Sequence, residues 1–291
     1  MKNIYSILVT YEPNIVELNS AIKRLLLETN TLVICNNSQK DVVYVEDKVK
    51  IFNFRDNLGI AKAQSIGMEW AFSNGADFII QMDQDSILEK GTVNKLLKSY
   101  QLLTSKGYKI GVLGPKHYDK ETKEVDQARI IKGKEIDGKY SIINATISSS
   151  SLISKKAYLS VGGMEDGLFI DAVDFEYCWR LKTKGFITVR DNDILLGHRV
   201  GDGKKKIIGK IDARIPSSIR HYYHIRNLFL LLFRGYVPFY WKVSNLFKLF
   251  LKIIIYPFLF DDGLKRVRYM LKGVKDGVLR KYGRIDLATR K

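Results

Sequence analysis

Two carboxylates stand one residue apart where an apolar run ends, in Phe78-Ile79-Ile80-Gln81-Met82-Asp83-Gln84-Asp85. Acids that close repel each other, so a strand end that carries both is suited to holding a cation. Mg²⁺ and Mn²⁺ take hard oxygen ligands and commonly complete their shell with substrate phosphates. The pair therefore points to a metal-bound, phosphate-bearing substrate. Asp-x-Asp also occurs in turns and helix caps as a purely structural device, so the surrounding residues must decide.

Three further segments carry groups that could do chemistry. Asn57-Leu58-Gly59-Ile60-Ala61-Lys62-Ala63-Gln64-Ser65-Ile66-Gly67 places small residues at 59, 61, 63 and 67. Gly59 can open a tight turn into a helix whose free N–H groups would receive a nucleotide's polar groups. Close packing of that helix on a sheet explains the small residues equally well, and the spacing is neither a Walker loop nor a dinucleotide fingerprint. In Phe169-Ile170-Asp171-Ala172-Val173-Asp174-Phe175-Glu176, a helix starting near Val173 puts Asp174 in its first turn. There a carboxylate serves either the helix dipole or, beside a pocket, as general base toward an acceptor hydroxyl. Glu176 and Arg180 are one turn apart and suit an ordinary helical ion pair. His198 follows an apolar run and reads as a structural histidine or as a third metal ligand beside Asp83 and Asp85.

These groups need elements to position them. Ile4–Thr10, Thr31–Cys35, Lys50–Asn53, Asp77–Met82, Ile110–Leu113 and Thr146–Ile153 read as strands. Glu17–Leu27, Ile60–Ser73, Gly91–Ser105, Lys155–Val161 and residues 173–184 read as helices. Residues 116–141 read as a loop or irregular hairpin. Alternating strands and helices predict parallel βαβ units in an open α/β sheet, where ligands bind at the carboxyl ends of strands. Tyr11, Asn36, Asn57 and the Asp83-Gln84-Asp85 run all fall at that edge.

Composition divides the chain. Its net charge is +17, yet residues 204–291 alone hold 21 Lys and Arg against 5 acids, leaving 27 against 26 in the rest. Residues 1–203 thus form a near-neutral body, and the domains expected are a catalytic body at 1–215 and a basic, aromatic, helical appendage at 216–291, the latter directed at a polyanion or an anionic membrane surface. Ser217–Phe233 and Pro238–Phe260 read as helices, and no run reaches the ~20 apolar residues of a membrane span. Basic helices rich in Tyr, Phe and Trp suit a membrane interface; packing on the body is the plainer reading. Cys35 and Cys178 make neither a disulfide framework nor a zinc pattern. The amino terminus reads as a first strand rather than a signal peptide, so a cytoplasmic location is expected.

In order along the chain, these pieces resemble the family 2 glycosyltransferases of the GT-A fold, and among them the bacterial rhamnosyltransferases. The resemblance runs from about Tyr5 to Arg226. It rests on Val9-Thr10-Tyr11 with Pro13, Asn36-Asn37-Ser38, Asn57-x-Gly59-x-Ala61 with Ala63-Gln64, Asp83-Gln84-Asp85, Asp171 with Asp174, Glu176 and Arg180, His198 with Gly201-Asp202, and Tyr222-Tyr223 with Arg226-Asn227. It implies a Rossmann-like open mixed sheet flanked by helices. It further implies that Thr10, Tyr11 and Asn36 line the base and ribose pocket, and that Asn57 and Gly59 approach the nucleotide. Asp83 would meet the ribose or the metal, and Gln84 and Arg180 belong with the substrate-binding residues. Asp85 would bind Mg²⁺ or Mn²⁺, joined by His198 as in some members, and Asp174 would be the base. Many members carry Asp after the second strand, where Cys35-Asn36-Asn37 stands here. The Gln-x-x-Arg-Trp motif and membrane spans of processive relatives are not in this sequence, which favours transfer of one sugar or a few.

The expected activity is inverting transfer, from dTDP-L-rhamnose, to a saccharide acceptor of cell-surface polysaccharide (O-antigen, capsule or wall). That acceptor would be lipid-diphosphate-linked, with the enzyme peripheral on the inner face of the membrane and no nucleic acid involved. Rival readings are a transferase using UDP-galactose or UDP-N-acetylglucosamine, a nucleic-acid-binding protein exploiting the basic tail, and a non-catalytic scaffold.

Overall fold

The computed structural model describes residues 2–84, 86, 88–119, 134–198, 204–207, 211–214 and 216–285, with 119, 198, 204–207 and 211–214 described by their backbone only. The chain forms two compact units, residues 1–166 with 174–199, and residues 167–173 with 200–291.

The first unit runs β1 Ile4–Thr10, α1 Ile15–Glu28, β2 Thr31–Asn36, β3 Val49–Asn53, α2 Gly59–Ser73, β4 Phe78–Asp83, α3 Thr92–Ser105, β5 Ile110–Asp119, β6 Lys134–Ile136, β7 Tyr140–Ile143, β8 Ser151–Ser154, α4 Lys155–Val161, α5 Val173–Lys182 and β9 Ile187–His198. The sheet order is β3-β2-β1-β4-β8-β5-β9-β7-β6. β1 to β4 are mutually parallel, β8 runs antiparallel between β4 and β5, and β5 and β9 are parallel. The expected mixed α/β sheet is therefore present.

The central strands are apolar on both faces because helices cover both. Ile7, Leu8, Leu32, Val33, Ile34, Ile79 and Ile80 are wholly buried, as in parallel sheets generally. Helix α1 begins at Ile15, two residues before the expected start, because the Asn14 side chain accepts hydrogen bonds from Val16 N at 2.9 Å and Glu17 N at 3.2 Å. Such a cap contributes about 1 kcal/mol. Helix α2 lies hard against the sheet: a Cβ on Gly67 would stand 2.7 Å from Ile7 Cγ2 and 3.1 Å from Cys35 Sγ. With Ala61 and Ala63 fully buried, packing accounts for these small residues. Cys35 and Cys178 are free thiols, and burial pushes them up to about 12 and about 11, so both are unreactive near neutrality.

One strand expectation is corrected. Of Thr146–Ile153 only the part from Ser151 pairs with the sheet, in a strand that runs Ser151–Ser154. Ser150 is left-handed at φ 58° and Ser151 N donates to Ser148 O at 2.8 Å. Serine side chains compete for backbone partners and favour such turns. Residues 116–141 also sort differently: β5 continues to Asp119, and β6–β7 form a hairpin from 134 to 143.

The second unit holds the hairpin β10 Lys204–Ile207 and β11 Ile211–Arg214, then α6 Ser218–Leu232, α7 Phe239–Leu259 and α8 Gly263–Val278. Tyr222 and Tyr223 are buried against Phe169, whose ring stacks on Tyr223 at 4.9 Å between centroids. The aromatic start of α6 is thus core, not surface. Leu249 of α7, Ile225 of α6 and Met270 of α8 share a second cluster.

A candidate nucleotide-sugar site at the strand ends

The sheet register puts the expected residues on one edge. Thr10 pairs with Asn36, Asn36 with Asn53, and Val9 with Asp83, so four parallel strands deliver polar side chains to their carboxyl ends. A row of hydrogen bonds ties those ends together. Asn36 Nδ2 donates to Asn53 Oδ1 at 2.8 Å, and Thr10 Oγ1 donates to Asn36 Oδ1 at 3.2 Å. Gln84 grips the Tyr11 backbone from both sides, accepting from Tyr11 N at 2.8 Å and donating to Tyr11 O at 3.1 Å.

The row is closed to solvent on its strand side. Thr10 and Asn36 are 0% exposed, and Asn36 also donates to Lys40 O and accepts from Ser38 N. Their bonding capacity goes into holding the strand ends, which leaves Tyr11, 49% exposed, as the surface member of that trio. Asn53, not singled out from sequence, completes the row by also bridging to both backbone groups of Val42. Its signal was an Asn ending each of two successive strands.

The turn into α2 is built by two asparagines. Asn57 Oδ1 accepts from Gly59 N at 3.0 Å; Asn37 Oδ1 accepts from Leu58 N at 3.1 Å, and Asn37 Nδ2 donates to Gly59 O at 3.2 Å. Gly59 sits at φ 84°, a conformation that costs other residues about 1–2 kcal/mol. Leu58 itself gives this helix no side-chain cap, so beyond the two N–H groups taken by Asn37 and Asn57 the positive dipole end faces the strand-end side, a suitable environment for phosphate. Further along α2, Ser65 Oγ donates to Asp166 Oδ1 at 2.6 Å and Lys62 Nζ to Asp166 Oδ2 at 2.8 Å. Gln64 is buried and donates to Ser148 Oγ at 3.2 Å, while its Oε1 has no partner among the described residues.

Asp83 ends β4, half-buried, with Gln84 beside it. Asp85 lies outside the described residues, as does the His198 side chain, together with Gly201 and Asp202. Among the described residues no three His, Cys, Asp or Glu side chains form a metal-holding group. The donors expected from sequence, two carboxylates and one imidazole, are hard and oxygen-rich, which fits Mg²⁺ or Mn²⁺. Next along this loop, Ser86 accepts from Ser149 Oγ at 2.6 Å, which anchors it to the serine run before β8.

Asp174 is half-buried in the first turn of α5, as the sequence predicts. Two residues on, Glu176 is fully buried and paired with Arg180, at 2.9 Å to Nε and 3.1 Å to Nη2. Arg180 also donates to the carbonyls of Val161 and Gly163. Its guanidinium therefore braces the 161–163 turn while its side chain stays 22% exposed. A separate open cleft of ≈ 390 Å³, lined by Glu89, Thr92, Lys95, Tyr118 and Asp193–Leu195, contains none of the residues expected from sequence.

The solved structure of GalNAc-T7 with UDP, GalNAc and Mn²⁺ superposes with a TM-score of 0.59 at 13% identity, over 96% of this chain and 56% of that one. The present chain thus spans little more than half of that protein, and the likeness establishes the GT-A glycosyltransferase fold. No family profile matches the chain. The dTDP-rhamnosyl transferase RfbF of Shigella flexneri is 34% identical over 248 residues, 81% of this chain and 82% of that protein. The chain belongs to this family of bacterial rhamnosyltransferase-like glycosyltransferases.

Proposed function

We propose that the enzyme transfers L-rhamnose from dTDP-L-rhamnose, with inversion, to a saccharide acceptor of a cell-surface polysaccharide. The observation that carries the donor assignment is the similarity, over four fifths of both chains, to a protein named for that activity. The strand-end row, Tyr11 and the α2 amino terminus supply what a nucleoside diphosphate needs: an exposed ring beside the base, and backbone donors toward phosphate. Family membership and fold leave the nucleic-acid-binding and scaffold readings without support.

In this reading Asp174 takes the proton from an acceptor hydroxyl as its oxygen bonds to the anomeric carbon. The bond from that carbon to the diphosphate oxygen breaks on the opposite face, through an oxocarbenium-like transition state, and dTDP leaves with the bonding pair. Asp85, with Asp83 and His198, would hold Mg²⁺ or Mn²⁺, whose charge offsets that gathering on the leaving diphosphate. Gln84 fixes the Tyr11 backbone, and Asn57 and Asn37 fix the turn at Gly59. The acceptor is a lipid-diphosphate-linked saccharide at the inner membrane face, to which the basic second unit attaches the enzyme peripherally. No helix among the described residues is long and apolar enough to cross a membrane.

A panel of dTDP- and UDP-sugars tests this reading. Metal-dependent binding or slow hydrolysis should select dTDP-L-rhamnose. Selection of UDP-galactose or UDP-N-acetylglucosamine would replace the donor assignment, and inertness toward every donor would overturn the enzyme reading.

A further inference from the structure

Helix α7 leaves a continuous apolar stripe uncovered. Phe239, Val243, Phe247, Phe250, Ile254 and Phe258 are all exposed, Phe258 by 89% and Phe239 by 79%. Their spacing of three and four residues keeps them on one side of an α-helix for its whole length, ~28 Å at 1.5 Å per residue. The opposite side, Trp241, Asn245 and Leu249, is buried, so this helix already has its packing partners and the stripe lies outside them. Exposed apolar surface on this scale, contiguous and aromatic, marks an interaction site.

Charge decides what covers it. Helix α7 contains Lys242, Lys248 and Lys252 and no acidic residue. On a helical projection Lys242 and the exposed Lys248 lie on either side beyond the stripe, while Lys252 falls on the packed side, where it is partly buried. Helix α8 of the same unit exposes Lys265, Arg268 and Lys275 alongside Leu264 and Leu271. Of the acids nearby, Asp262 pairs with Arg266 at 2.7 Å and Asp276 with Tyr222, Lys272 and Lys281, and Asp261 is exposed just past the end of α7. A second copy of this surface would bring Lys248, Lys265, Arg268 and Lys275 against their own counterparts, with Asp261 too few to answer them. An anionic lipid layer supplies both parts, acyl chains for the rings and head-group charge for the lysines.

We infer that α7 is an interfacial helix, lying in the head-group layer of an anionic bilayer with the Phe239–Phe258 stripe directed into the acyl boundary. The inference rests on the peripheral-membrane reading above and assigns the surface that performs it. Helix α6, whose aromatic residues are packed inside, takes no part. The lysines give attraction that salt screens, and the rings give attachment that salt does not remove.

The test is co-sedimentation of the full chain with vesicles of phosphatidylcholine alone, or mixed with phosphatidylglycerol. Wild type should bind the mixed vesicles and lose part of that binding in high salt. The triple variant Phe247→Ser, Phe250→Ser, Phe258→Ser should bind at least tenfold more weakly with an unchanged melting temperature and unchanged nucleotide binding. Phe250→Trp should shift its fluorescence to shorter wavelength on mixed vesicles only. Equal binding by wild type and the triple variant would overturn the assignment to α7 while leaving peripheral attachment standing. Absence of wild-type binding to either vesicle would overturn both. A wild-type dimer that the triple variant converts to monomer, without vesicle binding, would show the stripe to be a self-interface.

Discussion

The side-chain amide of Asn227 donates to the carbonyl of Asp171 at 2.8 Å, and also to those of Ile170 at 2.8 Å and Leu168 at 3.0 Å. Arg226 beside it reaches Leu168 O, Gly167 O and Gly283 O. The segment they hold has Phe169, Asp171 and Ala172 at positive φ, between 62° and 70°, and the next residue after Val173 is Asp174. Left-handed residues of this kind cost about 1–2 kcal/mol each, and two wholly buried α6 side chains hold them in place.

Replacing Asn227 by Ala leaves buried carbonyls without donors, at about 1–3 kcal/mol for each orphaned group. The expected result is a loss of about 2–4 kcal/mol in chemical denaturation. Transfer should fall in kcat more than in donor KM, because the relaxed segment leads directly into the proposed base. A variant with wild-type stability would show that these bonds do not hold the segment.

Asp174→Asn removes the proton acceptor and keeps the shape. General-base catalysis contributes roughly 10²–10⁴ in rate, so kcat should drop by about that factor. Nucleotide binding by calorimetry should be retained. Turnover equal to wild type would move the base elsewhere.

Gly67→Ala sets two terms against each other. Helix propensity gains about 1 kcal/mol, whereas overpacking a closed core costs about 1–3 kcal/mol. Ile7, the residue met at 2.7 Å, is β-branched and 0% exposed, so it has little room to yield. A lower melting temperature is expected; a rise would mean that α2 can lift from the sheet.

Acid should loosen the second unit. His221 Nε2 accepts from Arg266 at 3.1 Å, and burial, with Lys252 and Arg266 adding to it, lowers its pKa from 6.5 to about 3. The folded chain thus binds this proton less readily than the unfolded chain does. The contribution is complete above about pH 6.5 and is lost progressively as pH falls toward about 3, by at most ~1.4 kcal/mol per pH unit. Denaturation midpoints of wild type and His221→Gln across that range check it, and the variant should show the shallower slope.

The sheet was readable because its central strands are buried on both faces, and runs such as Leu32–Cys35 and Phe78–Ile80 admit few other interpretations. The edge that gathers Thr10, Asn36 and Asp83 followed from the rule that open α/β sheets bind ligands at strand ends. What the side chains do there was less visible. Asn36 and Arg180 have the chemistry of ligand-binding residues, and only tertiary contacts reveal that they also bond Asn53 and the Val161 and Gly163 carbonyls. The serine run misleads for a related reason: Ser148–Ser151 has strand-compatible neighbours, yet one left-handed residue at Ser150 delays the start of β8. In the second unit, apolar residues lie on several sides of α7, so periodicity alone could not separate its packed side from its exposed one. Helix α8 is hard to see in the sequence because its lysines and arginines mask the Met270 and Gly273 face that it buries.

In the proposed function, the hydrogen-bonded row from Asn53 through Asn36 to Thr10 lies behind the edge that would receive the donor. Side chains already fixed to one another have no rotamer freedom left to surrender, so the ordering entropy of this edge was spent when the chain folded. Donor binding there should resemble insertion into a rigid mould, and a nucleotide of the wrong shape meets a wall that cannot adjust to it.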